Sequence, residues 1–459
     1  MKRHYLLWSL LAGWAIAPLT LAAEGDLAAL RQEVERMRQD YESRIAQLES
    51  RLAEAERALD SSTLADTAPQ ATAPASSANA FNPSLGVIFE GSAWAFDNDP
   101  EEYRVPGFAY GGEAGLPAEG LGLGETEIDI SASVDDWFTA WLTVPIHIDE
   151  GEAHVEIEEA WIETLSLPAG FSARMGRMFS DVGYLNEKHR HAWDFADMPL
   201  PYQAFLGNQY IDDGVRVSWV APTDLYLQFS GEVLRGDRFP FQGAANSGVG
   251  AYTLRARVGG DVGASHSWQA GLSWLSGESA DRPDGGGHHH EDGEAHEEGD
   301  EDLEGPYLFT GDTELTIVDF VWKWSPDGNW RARNLKLAME YVKRDERGMY
   351  TPPDADMLLW DTDQAGWYAE AVYQFMPGWR LGLRYDTLSG DDPGEAWEGS
   401  LLEPGDDDPQ RYSVMADWSH SEFSRLRLQY TRDEAGMEND HQLGLQYLFS
   451  IGAHGAHSF

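Results

Sequence analysis

No cysteine occurs in the 459 residues. That absence excludes disulfides, thiolate zinc sites, iron–sulfur clusters and cysteine nucleophiles. Basic residues are scarce: 32 Lys and Arg stand against 79 Asp and Glu, for a formal net charge of −47, and only five of the 32 are lysine. This balance argues against nucleic acid, whose phosphates need neutralising cations, and against selectivity for phosphate-like anions. Low lysine with many acids is equally the composition of a salt-adapted surface. A bundle of membrane helices is also excluded, because mean hydropathy is −0.45 and 24% of the residues are charged. Glycine (47) and aromatics (18 each of Trp, Tyr and Phe) are plentiful. That mixture suits a polar-lined barrel with aromatic girdles.

The chain opens with Lys2 and Arg3, an apolar run from Tyr5 to Ala17, and the small-residue site Thr20-Leu21-Ala22-Ala23. This pattern predicts a signal peptide over residues 1–22 and export from a Gram-negative cell. The run is too short for a spanning helix, and no cysteine follows to carry a lipid. Next, Leu27, Leu30, Val34, Met37, Tyr41, Ile45, Leu48, Leu52, Ala55 and Leu59 mark a heptad seam with one four-residue stutter at Tyr41–Ile45. Residues 24–59 are therefore expected to form a short periplasmic coiled coil. A lone helix of this length is marginal in water, so self-association is favoured over docking elsewhere. Residues 60–84, rich in Ala, Ser, Thr and Pro, read as a linker.

From residue 85 onward the pattern is two-fold alternation, short turn, alternation, long polar loop. The segment Trp137-Phe-Thr-Ala-Trp-Leu-Thr-Val144 shows the dyad period. Short turns such as Asp135-Asp136 and Met376-Pro377 alternate with long charged segments such as Asp97–Gly120 and Leu388–Gln410. The fold class expected is an all-β membrane protein: an antiparallel transmembrane β-barrel of about sixteen strands over residues 85–459, preceded by the coiled coil. Fourteen and eighteen strands are the alternatives. An even number places both termini in the periplasm. Counting back by twos from Phe459 gives a mostly apolar face, resembling the terminal signal by which such barrels reach the barrel assembly machinery.

Coil, linker, sixteen-strand pattern and terminal Phe together resemble porin-like barrels with an N-terminal coil, such as siderophore and phosphate-selective porins. The segments Phe81-Asn-Pro-Ser-Leu85, Gly176 to Phe195 and Gln203-Ala-Phe-Leu-Gly207 look like a group of proteobacterial outer-membrane proteins associated with zinc limitation. The resemblance implies an outer-membrane location with lipid around the barrel, a homo-oligomer (a trimer favoured by the architecture), and small cations or metal complexes as permeants. The phosphate branch fits badly, because the chain lacks its basic ladder.

Two loops carry candidate chemistry. Loop 277–312 holds His288, His289, His290, Glu291, Asp292, His296 and Glu297 among many acids and glycines. Imidazoles with carboxylates suit borderline divalent metals such as Zn2+, and the expectation is several weak, exchangeable sites. The plainer reading is a solvated acidic loop. Loop 179–213, after the fifth strand, is the constriction that the resemblance to sixteen-stranded porins implies. In it His189, His191 and Asp194 form a possible metal site, with Arg216, Arg255 and Arg257 of the wall facing its acids. The alternative is a loop whose His and acids pair with Arg174, Arg177, Lys188 and Arg190. His147 and His154 flank an acidic turn, and His454 and His457 close the chain. No catalytic constellation and no required cofactor are read from the sequence. The function expected is a passive channel for divalent cations, zinc foremost. The alternatives are a siderophore or metal-complex porin and a non-transporting envelope tether.

Overall fold

The computed structural model describes residues 83–452 except 113, 150–151, 245–247, 285–306, 353–355, 401 and 406. The expected signal peptide, coil and nearly all of the linker lie outside the described residues. So do His454, His457 and the metal candidates between His288 and Glu297. The chain divides at Asn79/Ala80, and the second unit is the barrel.

Sixteen strands close it. They are β1 Ser84–Ala95, β2 in two pieces (Gly120–Leu123 and Thr126–Ser133), β3 Phe138–Asp149, and β4 in two pieces (Glu152–Val155 and Glu159–Thr164). The middle of the wall is β5 Phe171–Phe179, β6 Ile211–Val220, β7 Tyr226–Leu234, β8 Ala251–Val262, β9 His266–Asp284 and β10 Tyr307–Trp324. The last six are β11 Asn334–Thr351, β12 Leu358–Met376, β13 Trp379–Gly390, β14 Gln410–Ser421, β15 Ser424–Asp433 and β16 Asp440–Gly452. Each pairs antiparallel with its sequence neighbours, and β1 closes on β16 from Gly86↔Gly452 to Ala95↔Leu443. Both barrel ends therefore lie at the short-turn rim. Among the described residues no helix is long and apolar enough to cross a membrane; the strands do the crossing.

Alternation explains the wall. In β16 buried and exposed residues alternate over ten successive positions, because successive side chains of a strand point to opposite faces. The outward face of β13 reads Trp379, Leu381, Leu383 and Tyr385, all but Tyr385 exposed large apolar groups. The two rings are about 20 Å apart along the strand at 3.4 Å per residue. Neighbouring strands continue both levels: Trp379 packs on Trp418, and Tyr385 on Tyr412. These are the aromatic girdles and apolar band of a lipid-facing barrel.

All sixteen expected strands are present, but those at the long-loop rim are longer than expected. β9 runs to Asp284 and β12 starts at Leu358, the first passing the end at Ser276 that a loop over 277–312 implies. Their outer ends carry polar residues on both faces, so the dyad signal fades while the hydrogen-bond ladder continues. The loop expected over 277–312 accordingly shrinks to 285–306.

Two strands are irregular beside the lumen. Between Ile146↔Val155 and Thr143↔Glu159, β3 advances three residues and β4 four. Between Gly91↔Leu123 and Ile88↔Glu127, β1 advances three and β2 four. Each is a one-residue bulge, a device that re-aims side chains.

Candidate functional site: a segment folded across the lumen

Residues 180–210, after β5, fold into the barrel rather than out of it. A short helix α1, Leu200–Leu206, has all seven residues buried and is capped by Gly207 in the left-handed region. Apolar side chains of the segment (Val182, Leu185, Met198, Leu200, Phe205) join wall residues such as Leu275, Leu315, Ile317 and Val342 in one core. Burial of that apolar surface, at about 25 cal/mol per Å², is what brings a polar-rich loop inward. The segment's aromatics Trp193, Phe195, Tyr202 and Phe205 are buried as well.

Polar contacts reach the wall on all sides. Ser180 and the Asp181 N–H bond Glu232 of β7. Asp181 takes Arg255 and Arg257 of β8, both at 2.6 Å. The N–H groups of Tyr184 and Leu185 donate to Glu340 of β11 at 2.7 and 3.1 Å, and the Tyr202 hydroxyl donates to the same carboxylate. Asp197 is shared by Arg384 of β13 and Arg411 of β14 at 2.8 and 3.1 Å. Arg427 and Gln429 of β15 bond the Trp193 carbonyl and the Ala196 N–H. The expected constriction is therefore a span across the lumen, and its acids are not bare. Glu187 is likewise paired with Arg216.

Burial alone would raise the carboxyls of Asp181, Asp194 and Asp197, but their arginine and lysine partners overcome it and hold all three below the ordinary carboxylate range. With depressed values, the docking they contribute is present above the ordinary carboxyl value near 3.9 and is lost only as pH falls below it. In a Glu340→Gln background, where the segment's other buried carboxylate anchor does not titrate, conductance in planar bilayers should thus be unchanged between pH 7 and pH 5 and rise only in stronger acid. Opening at pH 5 would show that these ion pairs do not hold the segment.

The sequence-predicted metal residues separate. Asp194 is drawn to Lys336 of β11 and Arg380 of β13, not to the histidines, because two cations on the wall compete for it. His189 and His191 stack on each other with ring centroids 5.5 Å apart and face three glutamates that sequence reasoning missed. His191 Nδ1 lies 2.8 Å from Glu127 of β2. His189 Nε2 is 3.1 Å from Glu159, while its Nδ1 stands 3.3 Å from Glu158 and 3.6 Å from Glu127. Glu127 and Glu159 are buried. Burial opposes charge on the His189 ring, and the surrounding carboxylates outweigh it and raise its pKa well above the usual imidazole value. The available signal was the doublet Glu158-Glu159 inside a strand, which breaks the dyad pattern and marks the bulge.

Acids gather on one side of the lumen and lysines on the other, the lysine side also holding the Lys336 partners Asp194 and Glu370. Glu127, Asp129, Glu159 and Glu163 lie on β2 and β4; Lys336 lies on β11, eight strands from β3 in a ring of sixteen, with Lys323 and Arg380 nearby. A polar cavity of about 150 Å³ opens beside the segment, lined by Glu163, Arg174, Asp181, Glu187, Arg216 and Arg257 among others. As the sequence suggested, Arg216, Arg255 and Arg257 face the segment's acids. His147 and His154 stack across the β3–β4 hairpin at 5.7 Å.

A closed, even-stranded antiparallel barrel, apolar outside, polar inside and carrying a long inward loop after its fifth strand, defines a porin-like outer-membrane barrel. No family model matches the chain. An uncharacterized protein of Aquifex aeolicus (strain VF5) is 30% identical over 409 residues, 83% of this chain and 81% of that protein. The chain belongs to the same family as that protein. Among solved structures, an anion-selective porin from Comamonas acidovorans shares 10% identity with a TM-score of 0.47, over 80% of this chain and 99% of the other. The outer membrane channel DcaP of Acinetobacter baumannii shares 13% at 0.47, over 80% and 96%. A loop-deletion mutant of OmpT, an outer membrane protein of Vibrio cholerae, shares 10% at 0.48, over 80% and 98%. These likenesses are too loose to carry a selectivity or substrate to this chain.

Proposed function

We propose that the protein is a passive outer-membrane channel for small cations, divalent metal ions foremost and zinc among them, whose lumen is spanned by segment 180–210. In this reading the short-turn rim and both barrel ends face the periplasm, and the His- and acid-rich stretch 285–306 collects cations outside. The observation that carries it is the imidazole–carboxylate cluster at His189, set on the acidic side of a lumen with a transverse charge division. Rings of Asp and Glu pass cations, and a charged cleft raises their local concentration. Zinc itself rests on ligand chemistry: imidazole and carboxylate are borderline-metal donors.

One observation favours a second reading. Lys188, Lys323 and Lys336 gather near Tyr184, a cationic wall that suits an anionic metal complex.

Planar-bilayer recordings of the refolded protein in salt gradients separate the two. Cation-selective reversal potentials, with steps blocked by added zinc, are expected for the first reading. Anion-selective steps would move the assignment to the metal-complex carrier, and silent barrels would remove the channel altogether.

A further inference from the structure

The contacts of His189 are those of a metal ligand already oriented by an outer carboxylate. Its Nε2 meets Glu159, whose carboxylate also accepts the Trp161 indole N–H at 3.0 Å. That bond fixes the ring and turns Nδ1 toward Glu158 and Glu127. Nδ1 of His189 and Oε2 of Glu158 are both buried without a hydrogen-bond partner although 3.3 Å apart. A buried polar atom without an aligned hydrogen bond is costly, and here two such atoms meet only as a loose ion pair.

The spacing has a chemical reading. Two ligands of a tetrahedral ion held at about 2.0–2.1 Å stand roughly 3.3–3.4 Å apart. His189 Nδ1 stands 3.3 Å from Glu158 Oε2 and 3.6 Å from Glu127 Oε2. His191 in turn holds Glu127 at 2.8 Å, as second partners of ligands do. Among the described residues no group of three or more such side chains is arranged to hold a metal ion as it stands. To close this one, Glu158 and Glu127 would have to turn toward His189 Nδ1, with Glu127 keeping one oxygen on His191. The β4 bulge makes the set possible, since it places the adjacent Glu158 and Glu159 on the same side of the wall.

We infer that His189, Glu158 and Glu127 form a binding site for one divalent transition-metal ion, with Glu159 and His191 positioning the ligands. The ion would join segment 180–210 to the β2–β4 wall. The inference deepens the cation-channel reading, yet it stands or falls on metal binding rather than on conduction.

The test uses the refolded full-length chain carrying H288A, H289A, H290A and H296A, so that the external histidines do not contribute. Equilibrium dialysis against Zn2+ and Co2+ followed by elemental analysis is expected to give one ion per chain. That ion should be lost in H189A and E158Q, held 10- to 100-fold more weakly in E159Q and H191A, and retained in D194N. Heat-modifiable gel mobility reports folding; if H189A does not fold, the isosteric E158Q decides. No stoichiometric ion in the parent, or binding indifferent to E158Q, overturns the site. Bound metal with silent bilayers would keep the site and remove the channel, and conducting barrels without bound metal would do the reverse.

Discussion

Replacing Glu340 by alanine should release segment 180–210 from the wall. This carboxylate on β11 accepts the Tyr184 and Leu185 N–H groups and the hydroxyls of Tyr202 and Tyr368, the last at 2.7 Å. Its side chain is fully buried. Alanine leaves two backbone and two phenolic donors without their acceptor, and each orphan costs about 1–3 kcal/mol. The Leu185 N–H retains the Tyr202 oxygen at 3.2 Å, so the total falls short of four full penalties but still amounts to several kcal/mol. One opposing effect exists: Asp319 lies close enough to repel Glu340, and removing the anion relieves that. A single like-charge contact does not offset several buried orphans. Gly183 sharpens the point, because at φ +60° a Cβ there would stand 2.3 Å from the Tyr202 hydroxyl and 2.5 Å from Glu340. The backbone is packed directly on its anchor.

The readout is cleavage and current. Lys188 and Arg190 lie on the released stretch, so trypsin should cut the Glu340→Ala barrel there while the wild type resists. Single-channel conductance should rise several-fold. Glu340→Gln, which keeps one acceptor oxygen, should fall between the two. A Glu340→Ala protein as resistant to trypsin as wild type and no more conductive would mean that the ion pairs of Asp181, Asp194 and Asp197 hold the segment without Glu340.

The barrel was legible because its signal is repeated in every strand. A dyad alternation over eight or more residues admits few other folds, and the alternation of short and long connections set the count. The inward course of 180–210 was expected from its place after the fifth strand of a porin-like barrel. The partners of its charges were not. A strand pattern says which residues face the lumen but not which of them meet across it, and Asp194 sits three residues from His191 yet bonds to β11 and β13. Glu127 is 64 residues from His191 and Glu158 is 31 from His189, separations only the closed ring brings together. Extended polar strand ends were missed for a related reason. Beyond the membrane both faces of a strand are polar, and only its neighbours reveal that the ladder continues.

Arg282 illustrates that last point and carries the largest expected loss of stability. In the sequence it is a lone base at the edge of an acidic loop. In the structure it belongs to β9, after the bulge between Ser279 and Arg282, and it is completely buried. Its guanidinium bonds Asp284 at 2.6 Å, Glu346 at 2.8 Å and the Pro240 carbonyl at 2.6 Å, and faces the rings of Phe309 and Phe239. Arg282→Ala strips two buried carboxylates of this cation and opens a gap between aromatic rings. Breaking such a pair from one side costs about 3–5 kcal/mol. Arg347→Ala is the matched control: its partner Asp361 is 3.2 Å away, but the two side chains are 71% and 64% exposed, so the pair is worth about 0–1 kcal/mol. Urea titration of the detergent-folded barrel should therefore lower the unfolding midpoint clearly for Arg282→Ala and barely for Arg347→Ala. Equal midpoints would show that the outer ends of the long strands add nothing to barrel stability. The position matters beyond stability, because Asp284 pairs with Tyr307 in the ladder and the stretch 285–306 leaves and returns at that pair. The ion cluster at Arg282 holds Asp284, the residue at which β9 ends, and the ladder joins that residue to Tyr307.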